Sequence, residues 1–140
     1  MQVKRRSSLF STLTVLLYHA CMIRCIRGTA LAIGPLCVTV DVQGIGYLIH
    51  TPSALGQFRE SEPVTFHTHL AVRENALDLY GFLTTEELEM FTLLIGLPGI
   101  GPRSALIVMS QADVPLLRQA ALRNDPQYLA KVSGLGKKSA

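Results

Sequence analysis

Leu97-Pro98-Gly99-Ile100-Gly101-Pro102-Arg103-Ser104-Ala105 is matched, 35 positions later, by Val132-Ser133-Gly134-Leu135-Gly136-Lys137-Lys138-Ser139-Ala140. Both stretches read apolar, any residue, Gly, aliphatic, Gly, any residue, basic, Ser, Ala. A glycine pair permits a tight turn at positive φ, free of the Cβ clash other residues suffer there. The aliphatic residue between the glycines is placed to plug the turn into a core. The basic residue then falls in the first turn of the following helix, where the macrodipole disfavours a cation. It fits if an anion occupies the helix N-terminus, held by free N–H groups and the cation together. Two such sites imply two phosphates, and hence a nucleic-acid backbone. The candidate binding residues are Gly99, Ile100, Gly101, Pro102, Arg103 and Ser104, with Gly134, Leu135, Gly136, Lys137 and Lys138 in the second copy.

Working outward, the sequence before Phe82 has period two. Leu36, Val38, Val40 and Val42 alternate with Cys37, Thr39 and Asp41; Val64, Phe66, Leu70 and Val72 alternate with Thr65, His67, His69 and Ala71. Both are patterns of half-buried strands. Gly34-Pro35 and Gly44-Ile45-Gly46 are turn signals. Five strands are predicted, at about 23–33, 36–42, 46–51, 63–73 and 77–82, with an irregular connection over 52–62. After Phe82 the period becomes helical. Thr84 with Glu87 is a capping box opening a helix through Leu88, Phe91, Leu94 and Ile95. Further helices are predicted at about 102–110, 114–123 and 126–132, with Asp113 and Asp125 as N-caps and Pro126 at a first helical position. The expected fold class is α+β, all-β then all-α. A five-stranded OB-like barrel over 22–83 precedes a helical domain over 84–140 that carries tandem helix-hairpin-helix motifs, the second incomplete.

Composition narrows the function classes. Of 140 residues, 49% are hydrophobic and only 16% charged, well below the usual quarter. So little charge leaves apolar surface exposed and favours oligomerisation or a missing piece. The net charge of +3 is carried by Lys4, Arg5 and Arg6, and the remainder is nearly neutral. Bulk charge is therefore no argument for nucleic acid; the placement of individual cations must carry it. Cys21, Cys25 and Cys37 form neither an even framework nor a CxxC pair, which points to a reducing, cytoplasmic setting.

Helix, aliphatic-Pro-Gly-Ile-Gly, basic helix is the helix-hairpin-helix pattern, which grips duplex DNA through phosphates without reading sequence. Met22-Ile23-Arg24-Cys25-Ile26-Arg27-Gly28, Gly44-Ile45-Gly46-Tyr47, the run from His67 to Ala76 and Leu79-Tyr80-Gly81-Phe82 follow in order. Together with the hairpins they resemble the RuvA family, the Holliday-junction-binding subunits of the bacterial branch-migration machine, across 22–140. The resemblance implies a homotetramer that binds four-way junction DNA in recombination and repair, with barrels at the centre and hairpin modules on the arms. It also implies a hexameric ATPase partner, RuvB, reached through a third domain, and brings in the RuvC resolvase as a further candidate partner. The sequence stops before the second helix of the second hairpin, so a fragment without that third domain is expected.

The resemblance further implies an acidic pin: paired carboxylates at a barrel hairpin tip that repel phosphates and keep strands apart at the crossover. The matching positions are Glu74 and Asn75, beside Arg73. One carboxylate is missing, and Arg73 is placed either to steer or offset Glu74 or to stand as a plain surface arginine. Weaker strand separation is expected, with junction binding retained.

Residues 1–21 are foreign to the family. Three basic residues, an apolar run over 9–18 and Ala20-Cys21 imitate a signal peptide or lipoprotein site. Tyr18 and His19 are poor residues before a cleavage point, so Met22 is taken as the start. The alternative is an exported or lipid-anchored OB-like binding protein. No serine nucleophile has a His and acid nearby, and no Walker-type P-loop or glycosylase-type Asp after the hairpin is present, so no intrinsic catalysis, cofactor or membrane partner is expected. His67 and His69 share a strand face without a third ligand and are expected to be solvated, not metal-binding. His50 carries no expected role. Arg118 and Arg123 are expected on a solvated helix face.

Overall fold

The computed structural model describes residues 22–52 and 56–122. Five strands close into a barrel: β1 (Cys25–Gly34), β2 (Cys37–Val42), β3 (Ile45–His50), β4 (Pro63–Arg73) and β5 (Ala76–Phe82), in the order β1-β2-β3-β5-β4. Every pairing is antiparallel except β3 with β5, which closes the barrel through Ile49↔Leu79 and His50↔Tyr80. Among the described residues three helices follow: α1 (Thr85–Ile95), α2 (Pro102–Gln111) and α3 (Val114–Leu122). All five strand boundaries fall within two residues of those predicted. The β2–β3 turn sits earlier than expected: Gln43 and Gly44 form it at φ +54 and +90, and Ile45 and Gly46 already belong to β3. The predicted helix over 126–132, with Asp125 and Pro126, lies outside the described residues, as does Arg123.

The Thr84–Glu87 capping box forms as the spacing requires. The Thr84 hydroxyl accepts from the Glu87 N–H at 3.2 Å, and the Glu87 carboxylate accepts from the Thr84 N–H at 3.3 Å. Both satisfy donors that the first helical turn would otherwise leave orphaned. At α3, the Asp113 carbonyl accepts from the Leu117 N–H at 3.1 Å.

Two cores share the β4–β5 hairpin. Inside the barrel, Ile26, Val38, Val40, Ile49, Phe66 and Leu79 pack together. On the outer face, Tyr80 and Phe82 join Met90, Phe91, Leu94, Leu106 and Leu117 in a helical core. Register explains the division. Thr68↔Gly81 and Leu70↔Leu79 face inward, while His67↔Phe82 and His69↔Tyr80 face the helices. A Cβ on Gly81 would stand 2.4 Å from Ile49 Cγ2, so the closing strand passes too near β3 for any side chain.

The β4 pattern corrects three expectations. Val72 does not continue the inward set: it is 70% exposed, and its cross-strand partner Leu77 is 71% exposed. The hairpin outruns the barrel beyond Leu70, so the face that pointed inward opens to solvent. Ala71, expected on the polar face, is buried in the helical core instead. The histidine face is likewise covered: the His69 ring meets Phe91 edge-on at 5.6 Å. His69 is thus a packing residue, and burial lowers its pKa from 6.5.

Phe91 joins the two halves. Its ring lies 5.1 Å from Tyr80, stacked, and 4.9 Å from Phe82. Truncation should leave a cavity where barrel and helices meet. Phe91→Ala is expected to cost about 3–5 kcal/mol, read from urea unfolding; a loss near zero would show that the helices dock by other contacts.

Candidate nucleic-acid interface

The first glycine turn is built from the end of α1. The Gly96 N–H donates to the carbonyls of Leu93 at 3.2 Å and Thr92 at 3.3 Å, closing the helix. Leu97 donates to Leu94 at 3.1 Å, and Ile100 donates to Leu97 at 3.2 Å. Pro98 and Gly99 therefore occupy the centre of a β-turn. Gly99 has φ +80; proline followed by a left-handed residue is the type II signature. Ile100 and Leu97 are half-buried against the helical core, which anchors the turn as expected.

Gly101 differs from expectation. Its backbone is extended, φ −86 and ψ 171, and it serves as the N-cap of α2. Only one glycine of the pair needs positive φ. The other places no side chain where one would obstruct: a Cβ on Gly101 would meet nothing within 4 Å. The α2 N-terminus consequently has no side-chain cap and no acidic residue in its first turn, and Pro102 stands at N1. The Gly101 carbonyl accepts from Ala105 at 2.9 Å, while the Arg103 and Ser104 N–H groups have no acceptor among the described residues. Gly101 and Arg103 are exposed and Ser104 half-buried. Free donors and the helix dipole face open space here, and the first turn carries an exposed arginine, a combination that suits an oxyanion. Gly134, Leu135, Gly136, Lys137 and Lys138 lie outside the described residues.

The hairpin tip is a two-residue turn, Glu74-Asn75, between Arg73 and Ala76. Both turn residues are exposed and neither has positive φ. An offset of Glu74 by Arg73 is not what the structure contains: Arg73 pairs with Asp78. Asp78 was legible in principle, because a turn at 74–75 makes it the diagonal cross-strand neighbour of Arg73.

Arg73 and Arg103 line one cleft of about 190 Å³ between hairpin and α2, with His50, Asp78, Tyr80 and Leu106. The sequence assigned His50 no part. Its ring tilts against Tyr80 at 5.4 Å, and burial, with a smaller contribution from Arg103, lowers its pKa from 6.5. Arg118 is exposed on α3, as expected. Among the described residues no group of three or more His, Cys, Asp or Glu is placed to hold a metal, and no helix is long and apolar enough to cross a membrane.

Residues 22–81 match the family model of the RuvA N terminal domain, and residues 91–140 match that of the SAM-like helix-hairpin-helix tandem. Relatives named Holliday junction branch migration complex subunit RuvA are 37% identical over 119 residues in Lactobacillus gasseri, 41% over 120 in Acinetobacter baumannii and 44% over 121 in Myxococcus xanthus. Each alignment covers 85% of this chain, and 62%, 60% and 60% of the respective relative. The chain thus spans about 60% of the length of these curated relatives.

Two outcomes follow from the geometry. Gly99→Ala is expected to destabilise by about 1–2 kcal/mol through its left-handed backbone, whereas Gly101→Ala, extended and unobstructed, should remain within about 0.5 kcal/mol of the parent; urea midpoints distinguish them. For His50 and His69, the folded state binds a proton more weakly than the unfolded chain. Their stabilising contribution is complete above the ordinary value of 6.5 and is lost as pH falls through the lower folded values. Stability should therefore decline on acidification from pH 7.5 to 5.5, and His69→Gln should flatten the decline; an unchanged slope would contradict it.

Proposed function

The chain belongs to the RuvA family, and from that premise we propose that it is a non-catalytic subunit that binds four-way junction DNA for branch migration. In this reading the barrel over 22–83 lies at the junction centre and the helical part over 84–140 holds duplex arms. Gly99, Ile100, Gly101, Pro102, Arg103 and Ser104 take a backbone phosphate, with Gly134, Leu135, Gly136, Lys137 and Lys138 as the second such site. Glu74 and Asn75 lie at the crossover. The assembly is a homotetramer working with a RuvB motor and meeting the RuvC resolvase, in the cytoplasm, without a cofactor. Leu31, Ile45 and Leu48, exposed on the barrel, are apolar surface that such an assembly would cover.

The observation that carries the reading is the N-terminus of α2. Its cap is a glycine, its first turn holds no acid, and the one charge there is Arg103. A helix start optimised for stability alone would carry Ser, Thr, Asp or Asn at the cap and a carboxylate behind it. The α1 start of this same chain has both, in Thr84 and Glu87. The α2 start has neither and keeps its donors free. The similarity to Holliday junction branch migration subunits supports the junction as target. The exported alternative rests on residues 1–21, outside the described residues, and no observation favours it.

Fluorescence anisotropy with a labelled four-way junction and a matched duplex tests the reading. Arg103→Gln should weaken both and lower the log–log salt slope by about one. Gly101→Ala, stable but obstructing the phosphate, should weaken binding about tenfold, the worth of one charge-assisted contact. Undiminished affinity in both variants would defeat it.

A further inference from the structure

The β4–β5 tip carries three charges close together: Arg73, Glu74 and Asp78. Arg73 faces Ala76 and Ala71 faces Asp78, so Arg73 and Asp78 share the face turned toward the helices. As diagonal neighbours they lie within reach of a long side chain. The ion pair between them draws the guanidinium back along the hairpin, toward the cleft it lines with Arg103. Glu74 remains exposed at the turn, with no ion-pair partner among the described residues.

We propose that Asp78 is a positioning residue, holding the Arg73 guanidinium off the tip so that Glu74 presents an uncompensated carboxylate there. The inference rests on the tip's proposed place at the crossover, and names what sets the charge that DNA meets. Position decides the effect more than the sum of charges. The Arg73–Asp78 pair carries no net charge, so a phosphate at the tip senses the single charge of Glu74. Without Asp78, the guanidinium's nearest carboxylate is the adjacent Glu74. The tip then becomes neutral, with a cation available to phosphate. With Asn75 supplying no charge, the tip's repulsion depends on Glu74 alone, and so on where Arg73 is held.

Two measurements on the full chain test this. The first is the ratio of junction to duplex affinity in a salt series. Asp78→Asn should lower it by about fivefold at low salt, the worth of one unit-charge contact in water, mainly by strengthening duplex binding. Asp78→Asn/Arg73→Gln should restore the ratio, which a merely structural loss at the hairpin would not do. The second is the Arg73 Nε–H NMR resonance, read without DNA. It should move in Asp78→Asn, and move again when Glu74→Gln is added to that background, whereas Glu74→Gln alone should leave it in place. An Arg73 resonance indifferent to Asp78→Asn, or a lowered ratio that the double variant fails to restore, overturns the proposal. If Glu74→Gln alone lowers the ratio while Asp78→Asn does not, the proposal fails and the tip's place at the crossover stands. If Glu74→Gln leaves the ratio unchanged, the crossover reading itself fails, and the functional half of the proposal with it.

Discussion

The docking of the helices against the barrel is centred on the Phe91 ring. It sits against Tyr80, Phe82 and His69 on the outer face of the β4–β5 hairpin. That contact makes one hairpin serve two cores, the barrel on its inner face and the helices on its outer face. Aromatic rings bury large areas and prefer offset or edge-on contacts, so this packing sets direction as well as stability. The α1 helix that carries Phe91 leads directly into the glycine turn. The orientation of the phosphate-binding candidate relative to the hairpin tip therefore follows from the packing of this helical core, with Phe91 at its contact with the hairpin.

The same arrangement accounts for the electrostatics of the cleft. Because the outer face of β4–β5 is turned toward α2, outward residues of the hairpin come near the basic residue of the glycine turn. His50, Arg73, Asp78 and Arg103 converge there from β3, β4, β5 and α2. Protonation of His50 is disfavoured there first by burial and then by the neighbouring arginine. Arg103, the candidate phosphate-binding cation, and the charged base of the hairpin tip thus share one small cleft instead of standing as independent features.

The two ends of the glycine turn illustrate contrasting uses of a residue without a side chain. Gly99 is required by conformation, since a type II turn places its third residue at positive φ. Gly101 is required by neither φ nor packing. It leaves the α2 N-terminus without a side-chain cap, which a stability argument alone would not select.

Much of the fold was legible in the residues. Period-two alternation marked all five strands, and the Thr84–Glu87 spacing marked the start of α1, because both signals are local and backbone geometry converts them directly into structure. The glycine turn and its basic helix were legible for the same reason. What was not legible depended on contacts between distant segments. Alternation along β4 could not reveal that the outer face would be covered by helices, so His69 and Ala71 read as solvated and Val72 as buried. The hairpin register offered Asp78 as a diagonal neighbour of Arg73 while adjacency offered Glu74, and only the packed chain decides between them. Nor could alternation bring His50 beside Arg103. Local patterning sets which elements form and which residues can turn or cap; burial and charge pairing are set by neighbours that only the packed chain brings within a few ångströms, where desolvation and Coulomb forces become decisive.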